Sequence, residues 1–495
     1  SSFTQDVPLV GVRVGLPAGD LKCASSTAYA GRTDVGLDMV FAQDYVFTTD
    51  LSSNSVSFSS SELVFVGHGI YAPDYGWDDY KGLDITGKTV VMLVNQPAAF
   101  NASSETYYGR WTYKYEEARR RSAAAVLLVH TNDTAGYPWS VVVSSNTGEQ
   151  VRVAGAVPSP LTLRGWVTSS AADTLAGMFG ASLDIWFSIA NDMSFKPITA
   201  PVACSTQAVL FYRPFQGQNV AGYVPAGTAT DLTVPLSSSE SVVISGHLDH
   251  LGVRNGSVYA GTTCAVKARV IWLCGDVRLM YVGARAGYLD NASGASMTLS
   301  VARAFARYVS SSGQALARSV VFLCPTAEES GLLGSQYYVQ QPPVQLPLAG
   351  IRASINFDVG NAWGLTTDMT VLGQSKSSLG DLICQLAPQL NITCSPDAAP
   401  SQGLFFRSDH FSFARAGVPG VWINTGSSFI GQPPDYYQRV VQGQYYFSRY
   451  HQPSDVYDPA YTYDGMVQQM QLGAAAAYAL SADTSITPQC YGQCW

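Results

Sequence analysis

The segment Ser241-Val-Val-Ile-Ser-Gly-His-Leu-Asp249 joins a short apolar run to a histidine and an aspartate. Such a run is typical of a strand buried inside a parallel sheet. In open α/β sheets, binding sites lie beyond the carboxyl ends of the strands. We therefore expect His247 to lie at a functional site, where the carboxylate of Asp249 can fix the orientation of its ring.

Further carboxylates and a second histidine occupy similar places along the chain. Glu328 and Glu329 follow the apolar strand Arg318-Ser-Val-Val-Phe-Leu-Cys, and Asp358 ends the strand Arg352-Ala-Ser-Ile-Asn-Phe. Asp290 opens Asp290-Asn-Ala-Ser-Gly, and His451 opens His451-Gln-Pro-Ser-Asp455. The chain has only six histidines, and two of them fall in this series.

Two imidazoles and three carboxylates, with one glutamate to spare, are what a pair of hydrolytic metal ions needs. We expect Asp290 to bridge two ions. His247 and Asp358 would complete one ion, and Glu329 and His451 the other. With a shared water each ion has four ligands, the usual count for zinc, although Mn²⁺ or Co²⁺ could substitute.

The spare glutamate, Glu328, suits the role of general base, because a carboxylate beside a metal-bound water can take its proton. Asp455 is expected to orient His451, as Asp249 orients His247. Taken singly, each motif has a structural explanation: a polar turn, a solvated surface or a helix N-cap. Their occurrence together, mostly at strand ends, favours a metal site.

Other chemistries find little support. The sequence contains no Gly-x-Ser-x-Gly nucleophile elbow and no phosphate-binding loop motif. Cys324 precedes Pro325 on an apolar strand, so we expect a buried thiol rather than a nucleophile. The net charge of −8 and the lack of a long basic run argue against nucleic acid as a partner. No apolar run reaches the roughly 18 residues of a membrane span.

Several features favour a secreted protein. The chain starts at Ser1 without a methionine, as a processed protein would. Candidate N-glycosylation triplets begin at Asn101, Asn132, Asn255 and Asn391. A further triplet at Asn291 lies inside the proposed metal motif and is taken as accidental. The candidate disulfide pairs are Cys23/Cys204, Cys264/Cys274, Cys384/Cys394 and Cys490/Cys494, which suit an oxidising compartment.

The 495 residues, 47% hydrophobic and 13% charged, can form two or three globular domains. Strands alternating with helices predict an α/β fold, with helices packed around a mostly parallel central sheet. One such helix is predicted from Ala292 to Val309, with one apolar face formed by Ala295, Leu299, Ala302, Ala306 and Val309. The predicted division is an N-terminal segment 1–57, a β-rich α/β domain 58–195, a domain 196–482 and a cysteine-containing tail 483–495.

Over residues 206–482 the chain resembles the M28 family of zinc peptidases. The matching segments are Ser245-Gly-His-Leu-Asp-His-Leu-Gly, Asp290-Asn-Ala-Ser-Gly-Ala, Phe322-Leu-Cys-Pro-Thr-Ala-Glu-Glu-Ser-Gly, Asn356-Phe-Asp, Arg407-Ser-Asp-His-Phe-Ser-Phe-Ala and Arg449-Tyr-His-Gln-Pro-Ser-Asp. The resemblance implies a three-layer α/β/α sandwich, two Zn²⁺ ions and the ligand and base roles given above. It places Asp409 and His410 on the substrate side; a structural turn with Asp409 as an N-cap is the alternative.

The earlier domain resembles the protease-associated (PA) domain, on the segments Val66-Gly-His-Gly-Ile-Tyr-Ala-Pro and Tyr80-Lys-Gly-Leu-Asp-Ile-Thr-Gly-Lys-Thr-Val-Val. Such domains are commonly inserted in M28 peptidases. The chain departs from the family in two respects. From His247 to Asp290 there are 290 − 247 = 43 positions, and the surplus lies in 260–286. Relatives also carry a helical segment before the position of Ser1.

The sequence therefore predicts a secreted di-zinc exopeptidase, most simply an aminopeptidase acting on peptides. One alternative is a carboxypeptidase or dipeptidase of the same family, which would need arginines such as Arg407 and Arg415 for a free carboxylate. Another is a non-catalytic receptor or assembly relative that keeps the fold. The sequence leaves side-chain specificity and oligomeric state open.

Overall fold

The computed structural model describes residues 2–15, 21–25, 36–51, 54–100, 106–155, 161–227, 240–254, 257–259, 287–344, 346–397 and 400–495. Some features singled out above lie outside these ranges, namely Ser1, Asn101, Asn255, Cys264, Cys274 and the surplus segment 260–286.

The strands of the described residues are β1 Ser2–Val14, β2 Leu21–Ser25, β3 Gly36–Met39, β4 Tyr45–Thr48, β5 Ser55–Phe65, β6 Tyr71–Ala72, β7 Trp77–Asp78, β8 Thr89–Leu93, β9 Ala125–Val129, β10 Glu149–Val153, β11 Leu163–Val167, β12 Ile198–Val224, β13 Ser241–Ser245, β14 Gly252–Arg254, β15 Ser257–Tyr259, β16 Ser319–Cys324, β17 Ile351–Asn356, β18 Asp368–Leu372, β19 Thr393–Ser395 and β20 Gly420–Thr425. The α-helices are α1 Trp111–Arg120, α2 Asn132–Ala135, α3 Trp139–Asn146, α4 Ser169–Met178, α5 Leu183–Ile189, α6 Gly294–Ser312, α7 Leu333–Gln340, α8 Ser378–Leu386, α9 His410–Arg415 and α10 Asp464–Ala482.

These elements form two compact units. Unit 1 takes in the described residues within 1–9, 215–398 and 407–495, and unit 2 those within 10–214 and 399–406. In unit 1 the strands are ordered β19-β18-β20-β17-β13-β16, and residues 220–224 of β12 pair beside β16. The central strand β13 is parallel to both β16 and β17, and β17 is parallel to β20. The mostly parallel sheet predicted from the sequence is thus confirmed.

Helices cover both faces of the unit 1 sheet. On one face, Val242 and Ile244 of β13 pack with Val301 of α6 and Leu472 of α10. On the other face, Val243 packs with Tyr338 of α7 and Phe413 of α9. Successive side chains of a strand point to opposite faces, so this alternation defines the three layers. Burial on both faces explains why β13 reads as a continuous apolar run.

Helix α6 buries most of the predicted face, with Leu299 as the exception: Ala295 and Val309 are buried, and Ala302 and Ala306 pack partly buried against the core. Leu299 is 54% exposed, whereas Met297, Val301 and Phe305 are buried. At 3.6 residues per turn, position 299 lies about 200° around the helix from position 297, on the opposite side. The prediction was therefore wrong for Leu299, because four-residue spacing alone does not decide which apolar stripe meets the sheet.

Unit 2 has its own sheet and its own cores. The strands β5, β8, β9 and β11 run parallel, and β4 pairs antiparallel with β11. Along β9, Leu127 packs in one core with Trp186 of α5, while Val126 packs in another with Tyr115 of α1. Strands β2 to β4, from the segment 1–57, also pair within this unit. The domain boundaries given above and the PA assignment stay predictions.

Three of the four candidate disulfides are present: Cys23–Cys204, Cys384–Cys394 and Cys490–Cys494. The first joins β2 to β12 inside unit 2. Cys324 is buried on β16, as predicted, and is not part of these disulfides. Among the described residues, no helix has the length and apolar character needed to cross a membrane.

Candidate metal centre

Three neighbouring strands of unit 1 deliver the predicted residues to one edge of the sheet. His247 follows β13, Glu328 and Glu329 follow β16, and Asp358 follows β17. Because β13 lies between β16 and β17 and is parallel to both, the carboxyl ends of all three strands meet. Residues that are far apart in the sequence are therefore close together in the fold.

The imidazole of His247 faces a cluster of carboxylates. Its Nε2 atom lies 3.4 Å from Asp290 Oδ1, 3.5 Å from Asp358 Oδ1 and 3.7 Å from Glu328 Oε2. The side chain is buried, and Nε2 has no hydrogen-bond partner among the described residues. The other ring nitrogen, Nδ1, lies 3.2 Å from the backbone oxygen of Asp249. A donor hydrogen on Nδ1 leaves Nε2 with its lone pair directed at the cluster.

A second imidazole meets the opposite side of Asp290. His451 Nε2 lies 3.1 Å from Asp290 Oδ2 and 3.0 Å from Glu329 Oε2. Asp290 therefore presents Oδ1 to one imidazole and Oδ2 to the other. The ring of Tyr450 stacks on that of His451, with centroids 3.9 Å apart.

These donors fit metal ions. The atoms of His247, Glu328 and Asp358 form one group lying within 4.8 Å of one another, and those of His250, Asp290 and Glu329 form a second. Donors bound tetrahedrally at zinc distances of about 2.0–2.1 Å are separated by about 3.3 Å. The separations around His247 Nε2 are close to this value and too long for good hydrogen bonds. A bare buried nitrogen among carboxylate oxygens is the arrangement that a cation would complete.

The backbone around Asp290 is held by two buried side chains. The carboxylate of Asp455 accepts hydrogen bonds from the N–H groups of Leu289 and Asp290, at 3.2 and 3.1 Å. The side-chain amide of Asn291 donates to the carbonyl of Phe357 and accepts from Gly294 N–H. Asn291 is completely buried, which agrees with reading its glycosylation triplet as accidental.

The carboxylate of Asp249 acts on the glutamate pair. It accepts hydrogen bonds from the backbone N–H groups of Glu328 and Glu329, at 3.0 and 3.3 Å. Its nearest carboxylate oxygen is 3.7 Å from His247 Nδ1, farther than its own backbone oxygen. Asp249 thus positions the two adjacent glutamates as well as the histidine two residues before it.

A relay of hydroxyl and amide groups, which the sequence reasoning missed, holds Asp358. Ser408 Oγ donates to Asp358 Oδ2 at 2.5 Å and accepts from Asn356 Nδ2 at 2.7 Å. Ser245 Oγ donates in turn to Asn356 Oδ1 at 2.6 Å. With Oδ2 engaged, Asp358 presents Oδ1 to His247. Nothing in the local sequence around Ser408 signals this contact, since the two partners lie 50 positions apart.

Sequence reasoning also gave no role to His250, although it lies one residue beyond Asp249. Its Nδ1 atom lies 2.5 Å from Glu329 Oε1, and its side chain is fully buried.

Asp409 and His410, which the resemblance places on the substrate side, are both buried. Asp409 stands at the N-terminal boundary of α9, and its side chain forms no capping hydrogen bond. Burial is the first cause that raises the pKa of Asp409, to about 7.

Burial and mutual repulsion shape the charges of the cluster. Burial is the main cause that raises the pKa of Glu328 well above its usual range, and Asp358 and Asp409 add to it. Burial likewise raises the pKa of Asp358. Burial pushes the pKa of Asp290 in the same direction, but the two neighbouring imidazoles of His247 and His451 outweigh it and lower that pKa. Several buried carboxylates in one cluster favour a compensating positive charge, which metal ions would supply.

The α/β sandwich, together with imidazole and carboxylate donors at its strand ends, defines a metal-dependent hydrolase. Residues 231–475 match the model of peptidase family M28. The chain therefore contains a peptidase M28 domain over these residues and is a metallopeptidase. A search among curated proteins finds no match.

Solved structures similar to the chain include three bacterial proteins. An aminopeptidase from Aneurinibacillus sp. strain AM-1 is 15% identical, with a TM-score of 0.48, covering 100% of this chain and 85% of that one. A zinc aminopeptidase from Bacillus subtilis is 16% identical, with a TM-score of 0.45 and coverages of 98% and 86%. A peptidase M28 precursor from Shewanella amazonensis SB2B is 14% identical, with a TM-score of 0.45 and coverages of 98% and 84%.

Proposed function

We propose that the protein is a di-zinc aminopeptidase that removes N-terminal residues from peptides. The observation that supports this proposal is the orientation of the Asp290 carboxylate. Its Oδ1 faces the imidazole of His247, and its Oδ2 faces the imidazole of His451. A carboxylate with both oxygens directed at separate donor groups is suited to bridging two ions. His247 and Asp358 would hold one zinc, and Glu329 and His451 the other.

Zinc is favoured by the chemistry of the donors. Mixed nitrogen and carboxylate donors suit zinc better than Mg²⁺ or Ca²⁺, which prefer oxygen alone. Mn²⁺ or Co²⁺ could occupy the same set. Bound zinc would lower the pKa of a water molecule and stabilise negative charge on the substrate carbonyl oxygen.

Glu328 is proposed as the general base. Its Oε2 atom lies 3.7 Å from His247 Nε2, at the margin of the cluster, and burial raises its pKa. A carboxylate with a raised pKa can take a proton from the attacking water and later transfer it to the leaving amine. Asp249 holds Glu328 by its backbone N–H, so the base has a fixed position.

The charge of the site favours a substrate with a free amino group. Besides the three proposed carboxylate ligands and the base Glu328, three further aspartates lie buried or half-buried at the cluster: Asp249, Asp409 and Asp455. Four carboxylates would balance two Zn²⁺ ions, so the additional ones add negative charge where they are ionised; burial raises the pKa of Asp409 and of Asp455 to about 7, so both carry part of a charge near neutral pH. A negative surrounding attracts the α-ammonium group of a peptide and repels its carboxylate.

The experiment is a substitution of Glu328 by Gln, which keeps the shape and removes the base. Turnover of aminoacyl substrates should fall by about 10²–10⁴-fold while zinc content stays at two ions per chain. Glu240→Gln, which affects a half-exposed carboxylate paired with Arg318 and Arg352, serves as a control for general effects of the change. Unchanged turnover in Glu328→Gln would contradict the assignment.

Substrate polarity is tested with blocked peptides. An aminopeptidase should cleave C-blocked peptides and leave N-blocked peptides intact, because its site requires the free ammonium. The reverse pattern would identify a carboxypeptidase. Turnover of neither, with zinc bound, would favour a dipeptidase if unblocked dipeptides are cleaved and a non-catalytic role if they are not.

We also propose that the protein is secreted. The chain has three disulfides, and disulfides form and persist mainly in oxidising compartments. The two glycosylation candidates among the described residues, Asn132 and Asn391, are exposed. Mass spectrometry of the protein from its native source, before and after glycosidase treatment, tests both sites directly.

A further inference from the structure

His250 is a buried histidine beside the metal centre for which the proposed mechanism has no role. Its side chain has no exposed surface, and Nδ1 lies 2.5 Å from Glu329 Oε1. Its other nitrogen, Nε2, has no hydrogen-bond partner among the described residues. Its ring lies edge-on to that of His451, with centroids 5.7 Å apart.

The distance from His250 Nδ1 to Glu329 Oε1 distinguishes between two roles of His250, that of a zinc ligand and that of a hydrogen-bond donor. Two donors that share a tetrahedral zinc ion are about 3.3 Å apart, because each bond is about 2.0–2.1 Å long. A separation of 2.5 Å leaves no room for an ion between Nδ1 and Oε1 and is that of a strong hydrogen bond. Nδ1 is therefore a hydrogen-bond donor to Glu329, which leaves Oε2 of the same carboxylate facing His451 at 3.0 Å.

A hydrogen bond of this kind restricts how a carboxylate can bind. Glutamate has several rotatable bonds and two equivalent oxygens, so an unsupported side chain can bind an ion through one oxygen or both. Engaging Oε1 fixes the side chain and leaves a single oxygen for the ion. Ser408 has the same relation to Asp358, since it engages Oδ2 and leaves Oδ1 facing His247.

The segment 247–250 holds Glu329 at two points. Asp249 Oδ2 accepts the backbone N–H of Glu329, and His250 bonds its side chain. The partners are 80 and 79 positions apart and meet because β13 and β16 are adjacent and parallel. One short segment thus fixes both the backbone and the carboxylate of a proposed zinc ligand.

We infer that His250 is a positioning residue that limits Glu329 to one ligating oxygen and so sets the zinc affinity of the His451 side of the centre. This inference rests on the proposed di-zinc function. It concerns the affinity of one ion and not the presence of both. Support of this kind beyond the ligands typically changes metal affinity 10–100-fold.

Zinc titration of the metal-free chain against a competing chelator tests the inference. His250→Ala should weaken one of two zinc affinities by about 10–100-fold while two ions still bind at saturation. His250→Asn should lie within about 3-fold of the wild type, because its amide nitrogen, like Nδ1, is bonded to Cγ and can donate to Oε1. His130→Ala, which removes a buried histidine of unit 2, should leave both affinities unchanged.

Spectra of the Co²⁺-loaded protein give a readout that a general loss of stability would not reproduce. His250→Ala should alter the ligand-field bands of one Co²⁺ ion, and His250→Asn should restore them. Thermal unfolding of the metal-free proteins checks that each variant folds. If His250→Ala does not fold, His250→Leu fills the volume without a donor and replaces it in the comparison.

Two results would overturn the inference. Equal zinc affinities in His250→Ala and the wild type would show that Glu329 needs no such support. Loss of one ion at saturating zinc in both His250→Ala and His250→Asn would make His250 a ligand. A wild-type chain that binds fewer than two zinc ions would instead overturn the proposed function, and that result is read before any variant is compared.

Discussion

The carboxylate of Asp455 accepts the backbone N–H of Asp290 at 3.1 Å, across 165 positions of the chain. The bond reaches the main chain of the proposed bridging residue. It therefore holds Asp290 in place without competing for either of its carboxylate oxygens. The two carboxylate oxygens of Asp290 then face His247 and His451.

Replacing Asp455 by Ala should weaken zinc binding by about 10–100-fold, because the backbone of Asp290 loses both its support and a hydrogen-bond acceptor. The measurement is a zinc titration of the metal-free chain. Asp435→Ala, at an exposed carboxylate of the same unit, is the control and should bind zinc as the wild type does. Equal affinities in the two variants would show that the Asp455 contact is not needed.

Replacing Ser408 by Ala should lower zinc affinity and destabilise the fold by about 1–3 kcal/mol, since it removes the hydrogen bonds of the hydroxyl with Asn356 Nδ2 and Asp358 Oδ2. Ser412→Ala is a matched control, because Ser412 bonds to another buried hydroxyl, that of Ser335. It should affect stability, measured by urea unfolding, but not zinc affinity. A similar loss of affinity in both variants would attribute the effect to packing alone.

Arg318 ties the end of the chain to the sheet of unit 1. Its guanidinium is 1% exposed and donates to backbone oxygens of Leu480, Asp483, Thr484 and Ile486. Arg318→Met should cost about 3–5 kcal/mol, because it leaves these backbone oxygens without their donor and removes one of the two arginines that pair with Glu240.

Arg352 offers the control for this change, since it also pairs with Glu240 but is 33% exposed. Arg352→Met should cost no more than about 1 kcal/mol. Denaturant unfolding of both variants measures the difference. Equal costs would mean that the carbonyl bonds of Arg318 contribute little.

The buried side chain of His68 should make the free energy of unfolding of unit 2 depend on pH. Burial lowers its pKa from 6.5 to about 3, and the charge of Lys114 adds to this. Between these pH values the unfolded chain binds a proton that the folded chain does not, so stability from this group is lost as pH falls from about 6.5 toward 3. Asp79, whose pKa burial raises to about 7, acts in the opposite direction and partly masks the effect.

The contribution of His68 is therefore obtained by comparing the stability of a His68 variant with that of the wild type at each pH. The stability of His68→Asn relative to the wild type should rise by several kcal/mol between pH 7 and pH 4, because each unit of pKa shift corresponds to about 1.36 kcal/mol. Hydrogen exchange of β8 and β9 amides, followed by mass spectrometry, reports on this unit. A difference that does not change with pH would mean that His68 is protonated in the folded state.

Much of the fold and of the proposed ligand set follows from local sequence. Buried parallel strands are continuously apolar, so β13, β16 and β17 are visible in the sequence, and the polar residues directly after them are expected at one sheet edge. His247, Glu328, Glu329 and Asp358 were predicted in this way. The buried face of helix α6 was predicted except at Leu299, because Leu299 and Met297 are both apolar and only packing decides which of them faces the sheet.

The sequence by itself determined which residue types stand at the ends of the strands, and hence the kind of chemistry. Only the tertiary structure decided which oxygen faces which nitrogen. Asp290 is divided between two imidazoles, Ser408 engages one oxygen of Asp358, and His250 engages one oxygen of Glu329. These contacts join residues 43 to 161 positions apart, and contacts of this range depend on strand order and register, which no local pattern encodes.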